Sequence, residues 1–363
     1  MSAPHPALLD LITGRPVDAI DDEEAFLQSV SEHRMTSAVL AAHQQETLPL
    51  TPATATTLGM WELAEYRDHL RFWRTIAEVQ DRLGPAGIEV AVLKGVATES
   101  RWYDGIGQRA CTDVDLLLAP AALDRAAEVV ELLDSTRGAR ATIGRLAHQR
   151  RLQHVDLNVG ATQVDLHFDP LKIGLPTRQL DAVWDSSELL TTPQGTIRVV
   201  QPEVELVLLL LHLNKDRFAY LGPFLDIRRI IERAELDWGR VHAFVAGEGL
   251  GVPVWKSLAA VADVVGLDLP GELPPRIRSL RGWTWDRLWG QRARLQGDEG
   301  RQRAPTAQKL LPLHVSGRTG AKLRELRRQT LPSRPLREVA GVRRRSFRAL
   351  VRPVPNRSKL PSP

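Results

Sequence analysis

The stretch Arg109-Ala-Cys-Thr-Asp113-Val-Asp115-Leu-Leu-Leu118 decides how the rest of the chain is read. Its apolar run, broken by acids at alternate positions, predicts a strand over 112–118. Residues two apart on a strand share a face, so Asp113 and Asp115 are expected side by side while Val114 and Leu116 pack the other way. Two carboxylates that close raise each other's pKa unless a cation sits between them. Hard oxygen ligands of this kind suit Mg²⁺ or Mn²⁺, which keep waters and complete their shells with a phosphate substrate. Alternate acids also occur on plain surface strands, so the pair is weighed with its neighbours.

Those neighbours add to the pattern on both sides. Upstream, Ile88-Glu-Val-Ala-Val-Leu93 predicts a buried strand that ends in Lys94-Gly95, with a helix expected from Val96. A glycine at that point lets backbone N–H groups approach a phosphate, and Lys94 adds a point charge. Downstream, Gln163-Val-Asp-Leu-His-Phe168 predicts a strand with Asp165 and His167 on one face, joined as a hairpin to 152–157 around Asn158-Val-Gly160. Three carboxylates on adjacent strands suffice to bridge divalent ions in attack at phosphorus.

Each further candidate has two readings. Asp156 is a rival third carboxylate or a solvated acid on the sheet edge. His154 and His167 touch substrate or hold strands together by hydrogen bonds. Arg109 grips phosphate with its planar fork or forms a surface ion pair. Asn214-Lys215-Asp216, with Asp226 one loop later, faces the cleft, where Lys215 contacts the β- and γ-phosphates, or marks a helix end in solvent. His212 reads as a satisfied core residue, and Cys111 as a small packing residue on the carboxylates' face.

Outward from this centre, apolar spacing predicts helices over 24–30, 35–45, 61–83 and 121–133, then a short strand at 196–200. Helices over 204–214, 225–234, 238–246 and 253–265 follow. The expected architecture is α+β, a small mixed β-sheet core flanked by N-terminal and C-terminal helical segments. Its divisions fall at 1–84 (helical), 85–200 (core), 201–300 (helical) and 301–363 (basic tail).

Composition bounds the function classes. With 43% hydrophobic and 25% charged residues among 363, a sizeable core is expected and wholesale disorder is excluded. A lone cysteine, Cys111, excludes a disulfide framework and a Cys-cluster zinc site. The apolar run 206–211 is too short to span a bilayer, and the N-terminal stretch lacks the basic region of a signal peptide, so the expected location is cytoplasmic. Residues 301–363 carry 17 Lys and Arg against Glu325 and Glu338, a net of +15; the other 300 residues hold 31 basic and 42 acidic side chains, a net of −11. A basic tail on an acidic body points to nucleic acid, to a membrane surface, to a phosphorylated partner, or to the body itself as its counterpart. Trp283, Trp285 and Trp289 read as helix packing or as stacking platforms for bases.

Taken together, Leu93-Lys-Gly95, Arg109-Ala-Cys-Thr-Asp113-Val-Asp115-Leu-Leu-Leu and Val164-Asp165-Leu-His-Phe168 resemble the uncharacterised nucleotidyltransferase family of the polymerase-β-like superfamily. His33-Arg-Met-Thr-Ser-Ala-Val-Leu40 is similar to the family's N-terminal helix, and 208–231 followed by Leu236-Asp-Trp238 is similar to its C-terminal helical part. The resemblance covers roughly residues 20–265. It implies that Asp113 and Asp115 are metal ligands, that Asp165 is the third carboxylate on the catalytic metal, and that Gly95 borders the triphosphate of an NTP. Better-characterised members follow that glycine with Ser or Gly, whereas Val96 stands here, so Lys94 or Arg109 is expected to take over the contact. The implied activity is Mg²⁺-dependent transfer of a nucleoside monophosphate from an NTP to an acceptor hydroxyl or phosphate, with release of pyrophosphate. The acceptor stays open among a small molecule, a peptide, a protein and an RNA end. A metal-dependent phosphohydrolase built on the same carboxylates is the alternative enzyme. The alternative of another class is a catalytically silent binding protein whose basic tail recruits nucleic acid or a partner.

Overall fold

The computed structural model describes residues 4–269, apart from 172, 174, 175 and 217. The basic stretch 301–363 and Trp283, Trp285 and Trp289 lie outside the described residues.

Four helices come first: α1 (Pro6–Thr13), α2 (Glu23–His33), α3 (Thr36–Gln44) and α4 (Pro52–Leu83). Local chemistry sets their starts. The Asp22 side chain accepts from Ala25 N to cap α2, and Thr51 caps α4 by accepting from Thr54 N, with Pro52 at the first helical position. Along α4, His69, Phe72, Trp73, Ile76, Val79 and Leu83 are buried, a spacing of three and four that puts one stripe against the sheet. Full burial of a side chain such as Phe72 or Ile76 contributes about 1.5–3 kcal/mol. Thr75 Oγ1 donates to Thr162 Oγ1 at 2.8 Å, a buried polar tie between this helix and the sheet.

The sheet has six strands in the order β3-β4-β2-β1-β6-β5. Chain order interleaves them with helices: β1 (Val90–Leu93), α5 (Val96–Trp102), β2 (Val114–Leu118), α6 (Ala126–Leu133), α7 (Arg140–His148), β3 (His154–Val159), β4 (Thr162–His167), α8 (Leu180–Asp185), β5 (Glu188–Thr192) and β6 (Gly195–Val199). Pairing is mixed. β1 runs antiparallel to β2 and parallel to β6, β2 runs parallel to β4, and β3/β4 and β5/β6 are antiparallel hairpins. Strands β1 and β2 are buried throughout, as expected of continuous apolar runs covered on both faces. The edge strands β3 and β5 expose alternate or most residues.

The chain continues with α9 (Pro202–Lys215), α10 (Gly222–Arg233), α11 (Trp238–Glu248) and α12 (Gly251–Val265). Helix α9 is buried nearly all round, which accounts for its unbroken Leu-rich run: α10, α11 and α12 pack against it. Its buried Glu205 accepts from Thr98 Oγ1, Trp102 Nε1 and Arg101 Nη1, which fastens α5 to the C-terminal helices. Helix α1 packs against α12, bringing the two helical ends of the described chain together. The fold is thus α+β, a mixed sheet with helices before and after it.

The element boundaries differ from the periodicity in instructive ways. The helix expected over 61–83 begins nine residues earlier, at Pro52, because a largely exposed first third still carries a cap. The helix expected over 121–133 splits into a 3-10 turn, Pro120–Arg125, and α6. Strand β5 and helices α1, α7 and α8 were not anticipated by apolar spacing.

Candidate active site

Three strands bring the acids together. In the β2/β4 register Asp115 lies directly beside Asp165, and in β1/β2 Leu93 faces Asp115. Parallel pairing keeps like positions on one face, so both carboxylates emerge on the same side at the same height. Asp113 stands just before β2 and lines the same cleft, an open volume of about 730 Å³. Asp115 and Asp165 are buried and Asp113 is half-buried. Burial pushes the Asp113 carboxyl above the ordinary range, and the charges of Asp115 and Asp165 push it further; Lys94 and a hydrogen bond from Thr112 act against them. A group of acids held this way is a cation-seeking site.

The Lys94-Gly95 turn supplies one cation. Lys94 (φ 34°) and Gly95 (φ 46°) both lie on the left-handed side, a pairing that ends β1 abruptly and turns the lysine back over the sheet. Lys94 Nζ sits 3.1 Å from Asp115 Oδ1. On the other side of the same oxygen, fully buried His167 places Nε2 at 2.6 Å. Asp115, Asp165 and His167 offer ligand atoms that all lie within 4.8 Å of one another, and His154, Asp156 and Asp165 form a second such group. Asp156 pairs directly with Asp165 across the hairpin, yet its side chain is 63% exposed. It therefore stands as a solvated edge acid beside the cleft.

The facing wall is helical. His212, Lys215 and Asp216 come from the end of α9, Tyr220 from the loop that follows, and Arg34 from the left-handed residue between α2 and α3. Arg34 stacks over the Tyr220 ring at 4.5 Å. Lys94, Gly95, Arg109 and Lys215, the expected phosphate contacts, all line this cleft with the three aspartates. His212 differs from its sequence reading as a core residue. It is a third exposed, lines the cleft, and has Nε2 3.2 Å from Asp216 Oδ2. Desolvation and then the Lys94 charge hold it well below the ordinary histidine range. Asp216, read with Lys215 as a candidate for the cleft, does line it, whereas Arg34 and Tyr220 were missed as cleft residues. Arg34 belongs to the quoted His33–Leu40 motif, which was the available signal.

Arg109 is held in a way that the sequence does not show. Its Nε lies 3.0 Å from both carboxylate oxygens of Asp226 on α10, and its Nη2 lies 2.9 Å from Asp226 Oδ2. Nη1 donates to Cys111 Sγ at 2.9 Å, and the Tyr103 hydroxyl donates to Asp226 Oδ1 at 2.7 Å. Beneath it, buried His69 donates from Nε2 to the Arg109 carbonyl and pairs through Nδ1 with Glu99, while Glu99 Oε1 accepts from Arg109 N. Both ring nitrogens thus face acceptors. Burial opposes the imidazolium, but hydrogen bonds and charge from Cys111 and Glu99 overcome it and raise His69 to about 10. The whole assembly fixes the loop that leads into the Asp113–Asp115 strand.

The donor set suits a hard divalent cation: carboxylate oxygens predominate, with one imidazole that orients Asp115.

The model of a family described as uncharacterised nucleotidyltransferase matches residues 20–266. No curated protein matches. A crystal structure of an antigenic nucleotidyltransferase-like protein from Paracoccidioides brasiliensis is similar at 17% identity, over 54% of this chain and 88% of that one, with a TM-score of 0.30. Because the family match spans well over half of its residues, the chain belongs to the uncharacterised nucleotidyltransferase family.

Proposed function

We propose that this protein transfers a nucleoside monophosphate from an NTP to an acceptor hydroxyl or phosphate and releases pyrophosphate, with Mg²⁺ or Mn²⁺. The observation that carries this reading is the in-register pair Asp115 and Asp165, joined by Asp113 on one wall of a cleft whose other lining includes Lys94, Lys215 and Arg34. Acids on one side and cations around them match a metal-bound polyphosphate better than either a bare anion or a bare cation.

In this mechanism Asp113, Asp115 and Asp165 would hold the metal. Bound there, the metal supplies charge neutralisation at the phosphate oxygens and lowers the pKa of a coordinated hydroxyl. Lys215 and Arg34 draw the β- and γ-phosphates toward the helical wall. Gly95, with no side chain at φ 46°, leaves its backbone open to the triphosphate. Lys94, 3.1 Å from Asp115 Oδ1 on a flexible stem, would swing to the phosphates when the site is filled. His167 keeps its hydrogen bond to Asp115 and fixes the orientation of that carboxylate. The acceptor oxygen forms a bond to the α-phosphorus as the bond from that phosphorus to the pyrophosphate oxygen breaks. The acceptor proton passes to the Asp165 carboxylate, and pyrophosphate leaves with the electron pair.

Thermal unfolding with each NTP, with and without Mg²⁺, tests the reading without knowledge of the acceptor. At about a hundred times Kd, binding to the native state adds roughly 2.7 kcal/mol. The expected result is a rise in Tm that needs both NTP and metal and disappears in Asp113→Asn and Asp115→Asn. A nucleotide shift that persists in both variants, or no shift with any NTP, contradicts it.

A further inference from the structure

Helix α4 carries an exposed face that its neighbours leave bare. Among the described residues five large hydrophobic side chains are exposed, and three of them, Met60, Leu63 and Tyr66, fall within seven residues of this helix. Their spacing of three puts them on successive turns of one side. The nine exposed positions from Thr51 to Tyr66 are all uncharged, with Gly59 and Ala64 among the larger side chains. Charge returns at Arg67, Arg71 and Arg74, all exposed. A solvated helix face ordinarily carries charged residues, and 25% of this chain is charged, so an uncharged run of this length marks a face that is covered.

The size of the face argues against a second copy as its cover. At 1.5 Å per residue it is about 20 Å long and about 10 Å wide, roughly a quarter of the ~800 Å² that each partner buries in a standard interface. A segment of the same chain needs less area, because its tether supplies the effective concentration. The sequence beyond Leu269 provides such a segment: Trp283-Thr-Trp285-Asp-Arg-Leu288-Trp289 gathers three of the nine tryptophans in seven residues. Charge draws it toward the body. Residues 1–269 hold 25 Lys and Arg against 38 Asp and Glu, a net of −13, whereas 270–363 hold 23 against six, a net of +17. The point of departure is also close. Leu267 and Leu269 pack on the core, and a Cβ at Gly266 would lie 4.0 Å from the Thr13 carbonyl oxygen at the end of α1. Helix α1 packs on α3, and α3 packs on α4. Two helix spacings of about 8–10 Å therefore separate α1 from α4, and residues 270–282 reach up to about 45 Å when extended.

We propose that residues 283–289 dock on the uncharged face of α4, their tryptophans covering Met60, Leu63 and Tyr66, and so tether the basic stretch 301–363 to the acidic body. This docking is independent of the chemistry in the cleft.

The test places the photo-crosslinking residue p-benzoylphenylalanine at position 63 of the full chain and, in a second protein, at exposed position 56. Each is irradiated at low micromolar concentration and its cross-linked tryptic peptides are mapped by mass spectrometry. The expected product runs at monomer mass and links the probe to peptide 282–287 or 288–292. Limited trypsin digestion gives a second reading, because cleavage of a docked segment follows its undocked population. Wild type is expected to be cut after Arg281 and Arg287 about tenfold more slowly than Met60→Asp/Leu63→Asp, which removes the apolar face. Both replaced positions are exposed, and circular dichroism checks that the double variant keeps its fold. A link between two chains assigns the face to a second copy and overturns the proposal. So does a link to any other peptide, the absence of a link from both positions, or equal cleavage of wild type and the double variant.

Discussion

Replacing Lys94 by Met removes the cation that sits over the acidic cluster. Lys94 Nζ lies 3.1 Å from Asp115 Oδ1, and the two side chains are 12% and 8% exposed, so solvent screens the pair little. At an effective dielectric constant of about 20 the direct attraction is about 5 kcal/mol. Truncating one partner of a buried pair typically costs about 3–5 kcal/mol, because the other charge stays behind. His167 still donates to Asp115, which argues for the lower end, about 3 kcal/mol. For a folded unit of this size each kcal/mol moves Tm by about 2–4 °C, so Lys94→Met is expected to melt about 6–12 °C below wild type in EDTA. Methionine keeps the length and apolar stem, and it meets the same positive φ as the lysine, so strain does not confound the comparison. Saturating Mg²⁺ is then expected to restore more stability in the variant than in wild type, since the metal no longer displaces a resident ammonium. Circular dichroism melts of both proteins, in EDTA and in Mg²⁺, measure all four values. Equal melting in EDTA, or an equal metal shift in both proteins, refutes the view of Lys94 as the cluster's stand-in cation.

Asp226→Asn leaves the buried Arg109 guanidinium without its counter-charge and is expected to cost about 3–5 kcal/mol in urea unfolding; a loss under about 1 kcal/mol means that Arg109 finds another partner. His69, raised to about 10 from 6.5, keeps its proton in the folded state while the unfolded chain loses it, so its stabilisation is complete below pH 6.5 and fades as pH climbs through 10. His69→Gln is expected to flatten that fall in unfolding free energy, and an unchanged pH profile contradicts the imidazolium. Gly107→Ala is expected to be severe, about 2–5 kcal/mol by chemical denaturation, because φ is +79° and a Cβ there lies 2.6 Å from the Tyr66 backbone; wild-type stability in this variant means that the loop moves freely away from α4.

What sequence reasoning reached, and what it did not, follows from how far each constraint reaches along the chain. Strands β1, β2 and β4 were legible because the sheet centre demands unbroken apolar runs, and the acids interrupting β2 and β4 stand out against them. Strand β5 was not, because an edge strand needs little burial; Leu189 there is 65% exposed. Helix α7 was hidden by Gly144, which breaks the helical pattern yet is required where the helix meets Ala127, since a Cβ would lie 2.8 Å from that side chain. Helix α1 finds one of its packing partners, α12, at the far end of the described chain, a contact that no local pattern announces. In the cleft, the acids, Lys94, Gly95 and Lys215 were read from local spacing. The partner that holds Arg109 lies at Asp226, 117 residues away, and local spacing cannot supply it. His212 looked like core because leucines surround it, but it is on the last turn of α9, where the face shared with Asp216 turns into the cleft.

In the proposed function the carboxylates of β2 and β4 bind a divalent metal together with an NTP. Electron paramagnetic resonance of Mn²⁺, titrated into the protein with and without α,β-methylene ATP, reads this directly. Wild type is expected to deplete the free Mn²⁺ signal far more with the nucleotide than without it, and Asp115→Asn and Asp165→Asn to lose this gain while keeping wild-type circular dichroism. Equal Mn²⁺ uptake by the folded Asp115→Asn and Asp165→Asn proteins, or nucleotide binding that is as tight in EDTA as in Mn²⁺, contradicts it.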